Sequence, residues 1–139
     1  MRVSDRNPAD RNGNGKMTPK ILIVDDEPEI CEYLGAFLKK RGYEICIASH
    51  GEEALGKIKT EEPHLMLPDI RMPEMDGIKV LRRAKTLHPR MGIIMITAVQ
   101  EEDIARQAIA DGAHDYITKP IDLDYLEDSV MVKMGDVLG

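Results

Sequence analysis

Ile21-Leu22-Ile23-Val24-Asp25-Asp26 is an apolar run that ends on a pair of carboxylates, and the pattern recurs along the chain. Leu65-Met66-Leu67-Pro68 runs into Asp69, Ile93-Ile94-Met95-Ile96 into Thr97, and Tyr116-Ile117-Thr118 into Lys119-Pro120. Runs this short and apolar, separated by amphipathic stretches, read as buried parallel strands joined by helices. Every strand of an open parallel sheet points one way, so the strand C-termini share one edge, and ligands bind along it. Three carboxylates, a hydroxyl and an ammonium are therefore expected at one rim. That set suits a divalent cation together with a phosphoryl group.

Between the runs the sequence supplies helices. The first spans about Pro28 to Arg41, with Pro28 in its first turn and Ile30, Leu34, Phe37 and Leu38 on one face; Gly42 ends it. A second strand follows at Glu44 to Ala48. Ser49 is the expected cap of a second helix that turns Ala54, Leu55 and Ile58 inward. The third strand is Leu65 to Asp69. The loop Met72-Pro73-Glu74-Met75-Asp76-Gly77 leads into a third helix with Ile78, Val80 and Leu81 apolar. Strand four is Ile93 to Thr97, and helix four runs from about Glu101 to Ala110. Strand five is Asp115 to Thr118, and helix five runs from about Leu123 to the region of Met134. Five strand–helix units in alternation make a doubly wound α/β fold with a five-stranded parallel sheet.

The chain has 139 residues, enough for one domain with a real core. Its formal net charge of −6 disfavours nucleic acid as a direct partner, because neutralising phosphates needs a basic face. No apolar run approaches the roughly 18 residues of a membrane span. Residues 1–18 are rich in Asn, Asp, Gly, Arg and Pro, read as a disordered tail, and hold no apolar signal-peptide core. These features point to a cytoplasmic protein that does not bind membranes. Cys31 and Cys46 fall in an expected helix and strand and read as reduced, buried thiols. His50, His64, His88 and His114 show no metal-ligand spacing. A nucleotide- or flavin-phosphate site would want a Gly/Ser/Thr-rich loop after the first strand, where this chain has Asp25-Asp26-Glu27-Pro28.

Val24-Asp25-Asp26-Glu27, Asp69-Ile70-Arg71-Met72-Pro73-Glu74-Met75-Asp76-Gly77, Thr97-Ala98 and Lys119-Pro120, in this order, resemble the receiver domain of two-component response regulators. The resemblance covers about residues 19–134. It implies the flavodoxin-like strand order 2-1-3-4-5. It implies a signalling switch with self-catalysed phosphotransfer and autodephosphorylation rather than a metabolic enzyme. Asp69 would accept the phosphoryl group, since an ionised carboxylate needs no base to attack phosphorus. Mg²⁺ would be held directly by Asp26, mostly through water by Asp25, by Asp69, and by the backbone carbonyl of Arg71. Lys119 would pair with Asp69 and then with the phosphoryl oxygens, its bond to Pro120 being cis. Thr97 and Tyr116 would move together and switch the face formed by helix four, strand five and helix five. A histidine kinase or phosphotransfer protein would be the partner, and that same face a possible homodimer surface. Residues 135–139 would form the C-terminal end, with no output domain.

One residue departs from the pattern. Pro68 precedes the phosphoacceptor in a central strand, where proline removes a ladder donor and fixes φ near about −65°. Two outcomes compete: the strand bends locally and keeps an intact site, which is the favoured reading, or the bend displaces Asp69. The second would make the domain a degenerate pseudo-receiver that binds partners without being phosphorylated, which is the alternative.

Overall fold

The computed structural model describes residues 18–139. The expected disordered tail, residues 1–18, lies outside them apart from its last residue. Ten elements alternate: β1 (Lys20–Val24), α1 (Pro28–Lys39), β2 (Glu44–Ala48), α2 (Gly51–Glu61), β3 (Leu65–Pro68), α3 (Gly77–Leu87), β4 (Gly92–Thr97), α4 (Glu102–Ala110), β5 (Asp115–Thr118) and α5 (Leu123–Leu138). The strands form one sheet in the order β2-β1-β3-β4-β5, all parallel.

Two-residue alternation along the strands sorts their side chains onto two faces. Leu22, Val24, Met66 and Met95 join Ala54, Ile58, Val80, Leu81 and Ala108, so α2, α3 and α4 cover one face. Ile21, Ile23, Leu65, Leu67, Ile94 and Ile96 join Leu34, Leu38, Leu126, Val130 and Met134, so α1 and α5 cover the other. Burial on both sides is why the runs are continuously apolar rather than alternating with polar residues.

Several boundaries differ from the sequence reading. α1 ends at Lys39; Gly42 then takes φ 93°, and the Tyr43 N–H closes back on the Leu38 carbonyl at 3.3 Å. His50, not Ser49, caps α2: its Nδ1 accepts from the Glu53 N–H at 3.3 Å, while Ser49 donates backbone and hydroxyl hydrogens to Glu53 Oε1. α5 continues to Leu138, past the expected end near Met134 and through most of residues 135–139. Cys31 is buried as expected and Cys46 only partly so; both are free thiols.

Pro68 does not break β3. It stays in register with Val24 of β1, and the next N–H, of Asp69, donates to the Val24 carbonyl at 3.0 Å. Since Asp69 faces β1, alternation turns position 68 towards β4, where the pairing stops after Met66↔Ile93. The Ile93 carbonyl accepts from His114 on the β5 side, so the Ile94 carbonyl faces β3 opposite the ring that lacks an N–H. The cost of the proline falls on β4, and the path to Asp69 is kept.

Candidate functional site

The rim at the strand C-termini gathers most of the residues read from the sequence. Asp25 directly follows β1 and Asp69 directly follows β3, and both are buried. Lys119 follows β5; its N–H donates to the Thr97 carbonyl at 2.8 Å, and the Lys119–Pro120 bond is cis. The Lys119 ammonium donates to Asp25 Oδ2 at 2.9 Å, to Asp69 Oδ2 at 3.0 Å and to Glu27 Oε1 at 3.3 Å. Asp25 also shapes the turn into α1, because its Oδ1 accepts from the Glu27 N–H at 2.9 Å. Asp69 Oδ1 accepts from the Arg71 N–H at 3.3 Å, which ties the acceptor to the loop after it.

Burial raises the Asp25 pKa, and the Lys119 ammonium draws it part of the way back. Burial also works to lower the Lys119 pKa. There, hydrogen bonds to Asp25 and Asp69, with their charges, prevail and hold the ammonium above the ordinary lysine range.

Carboxylate oxygens of Asp25, Glu27 and Asp69 lie within 4.8 Å of one another. Three ionised carboxylates against one ammonium leave two negative charges, which a divalent cation cancels. All donors are hard oxygens, the ligands that Mg²⁺ takes. The residues therefore fit such an ion. The membership of this cluster differs from the expected ligand set, because Glu27 is in it and Asp26 is not. Asp26 is exposed and lines an adjoining cavity of about 520 Å³ with Arg71, Met72, Asp76 and Val99. The Arg71 side chain points outward and comes within 3.8 Å of Glu101.

Thr97 is fully buried at the end of β4, and its Oγ1 accepts from the Val99 N–H at 3.2 Å. The Tyr116 hydroxyl donates to the carbonyl of the same Val99 at 2.7 Å. Burial first, then the Asp69 and Glu101 charges, raises the Tyr116 pKa and keeps that donor protonated. Thr97 and Tyr116 thus hold one peptide segment from both sides. Sequence reasoning missed Val99 and Glu27. Val99 acts through backbone atoms that every residue has. Glu27 had a weak signal, as a third acid beside the Asp pair.

None of the four histidines reaches this site. The His50 ring caps α2, and the His64 ring accepts from the Lys20 N–H of β1.

Residues 21–131 match the family model of the response regulator receiver domain. The chain is 42% identical over 107 residues to the transcriptional regulatory protein ZraR of Klebsiella oxytoca, covering 77% of this chain but 24% of that protein. It is 38% identical over 114 residues to the sporulation initiation phosphotransferase F of Bacillus subtilis, covering 82% of this chain and 92% of that one. It thus spans about a quarter of the first relative and nearly all of the second. Among solved structures, the CheX-CheY-BeF3-Mg complex of Borrelia burgdorferi matches with a TM-score of 0.80 at 31% identity, over 90% of this chain and 96% of that one.

Proposed function

Because the chain belongs to the response regulator receiver domain family, we propose that it is a phospho-accepting switch whose acceptor is Asp69. A partner histidine kinase or phosphotransfer protein presents phosphohistidine. An Asp69 carboxylate oxygen forms the new O–P bond, the N–P bond breaks, and the imidazole leaves and takes a proton from solvent. Water later attacks the phosphorus, the O–P bond to Asp69 breaks, and inorganic phosphate leaves with the carboxylate restored. Receiver residues catalyse both steps, so the domain is a signalling device rather than a metabolic enzyme.

The observation that carries this reading is the clasp on Lys119, whose ammonium sits 3.0 Å from Asp69 Oδ2. It lies where negative charge collects as the phosphoryl group arrives. Asp26, Asp69 and the Arg71 backbone carbonyl would hold Mg²⁺, with Asp25 acting through water. The ion supplies charge neutralisation of the phosphoryl oxygens. Glu27 keeps one contact to Lys119 while Asp69 reacts. Thr97 turns its hydroxyl from Val99 to a phosphoryl oxygen, and Tyr116 follows on the other side of that segment. The face of α4, β5 and α5 then binds the partner or a second copy. Among the described residues no helix is long and apolar enough to cross a membrane. On this reading the switch acts in the cytoplasm, and the net charge of −6 disfavours direct nucleic-acid binding by this chain.

Mass spectrometry after incubation with acetyl phosphate and Mg²⁺ tests the reading. A single adduct is expected on the wild type and none on Asp69→Asn. An adduct that survives this substitution removes Asp69 from the role.

A further inference from the structure

We propose that Gly77, at the start of α3, is a positioning residue for the phosphoacceptor, so that the absence of a side chain there sets both phosphorylation rate and metal affinity. The inference rests on the assignment of Asp69 as acceptor. It comes from the backbone contacts at the opening of α3.

A Cβ on Gly77 would stand 2.0 Å from the Asp69 carbonyl oxygen and 2.8 Å from both the Asp69 carbonyl carbon and the Ile70 Cα. These neighbours are main chain, so no side-chain rotation relieves the overlap. The Gly77 N–H donates to the Ile70 carbonyl at 2.6 Å, which presses the first turn of α3 onto the Asp69–Ile70 peptide. Asp76 fixes that turn in place, its Oδ1 accepting from the Lys79 N–H at 3.0 Å. The helix start is thus anchored at Asp76 and bears directly on the peptide that carries the nucleophile.

A methyl group at position 77 must push that peptide or the helix away by about 1 Å before atoms reach ordinary contact distances. The Asp69 carboxylate would move with its own backbone, and the Arg71 N–H that holds Asp69 Oδ1 would move too. Both proposed protein ligands beyond Asp26 sit on this short stretch. A misplacement of about 1 Å at a reacting group lowers rates by about a hundredfold.

Gly92 provides the control. A Cβ there meets the Leu65 and Lys133 side chains at 2.5 and 2.6 Å, but at the opposite end of the sheet from the rim. Gly92→Ala should therefore perturb packing without touching Asp69.

The experiment compares wild type, Gly77→Ala and Gly92→Ala. Mg²⁺ dissociation constants are read by tyrosine fluorescence or amide chemical shifts, and phosphorylation rates from acetyl phosphate at saturating Mg²⁺. Gly77→Ala should bind Mg²⁺ at least about tenfold more weakly and be phosphorylated about ten- to a hundredfold more slowly, while Gly92→Ala resembles wild type in both. If circular dichroism finds Gly77→Ala partly unfolded, the same titrations in trimethylamine N-oxide read the refolded population. Wild-type values in folded Gly77→Ala overturn the inference, and so do equal losses in Gly92→Ala. A wild type that takes no phosphoryl group overturns the assignment of Asp69, and this inference with it.

Discussion

His64 shows how one side chain ties together the end of the sheet far from the site. Its Nδ1 accepts the Lys20 N–H at 3.0 Å, its own N–H donates to the Lys20 carbonyl at 2.9 Å, and its carbonyl accepts from Gly92 at 3.0 Å. β1, β3 and β4 are therefore stitched through this residue at their starts. The Nδ1 contact requires an unprotonated nitrogen. Burial lowers the His64 pKa, and the nearby charges of His88 and Lys20 lower it further against an opposing pull from Glu44. The unfolded chain then binds this proton more readily than the folded one. The stabilising contribution is thus present above the ordinary histidine value of about 6.5 and is lost as pH falls below it towards the folded value. Denaturant melts between neutral and mildly acidic pH should show wild type losing stability that His64→Asn keeps, since the amide oxygen accepts from Lys20 without titrating. Parallel losses in both proteins would assign the effect to other groups.

At the scale of elements, β3 carries the main conflict between local rule and fold. A proline in a central strand argues against that strand, yet β3 forms, because the lost donor faces β4 while the β1 ladder runs on to Asp69. Pro68→Val, close in size and with an N–H to offer the Ile94 carbonyl, should raise stability by about 1 kcal/mol in denaturant melts. Its phosphorylation rate should match wild type, because Asp69 already lies within reach of Lys119. A faster rate would mean that the proline misplaces the acceptor after all. The strands were legible because runs such as Ile21 to Val24 and Ile93 to Ile96 have no reading other than burial on two faces. The order 2-1-3-4-5 was not legible from periodicity; it came with the family resemblance. Helix ends were read less well. His50 caps α2 because its ring reaches the Glu53 N–H, while Ser49 one position earlier bonds the Glu53 side chain instead. α5 outruns its expected end, and Met134, buried against the sheet, is the anchor of its last turns. Proximities between distant segments leave no mark in sequence, so neither the grip on Val99 nor the close approach of Gly77 to Asp69 could be read there.

Across the whole molecule, the rim and the face of α4, β5 and α5 share one buried link. Lys119 is bonded through its N–H to the Thr97 carbonyl, Thr97 through its hydroxyl to Val99, and Val99 through its carbonyl to Tyr116 on β5. A change in what the Thr97 hydroxyl bonds must alter what holds the segment after β4. On the neighbouring surface Ile109 on α4 and Tyr125 and Val132 on α5 are all about half exposed or more. Tyr125 and Ser129 donate to Asp115 Oδ2, each at 2.7 Å, so α5 follows β5 as one body. A phosphoryl mimic has leverage here only through the contacts it makes in one arrangement and not the other. Beryllofluoride with Mg²⁺ should therefore take Thr97 Oγ1 away from Val99, and the Val99 amide, without its acceptor, should exchange faster with deuterium. Altered exchange should extend over residues 97–122. In Thr97→Val, which has no hydroxyl to redirect, it should shrink to the loop of residues 69–77. Exchange confined to residues 69–77 in wild type would disconnect the site from this face, and an unaltered response in Thr97→Val would move the coupling to another route.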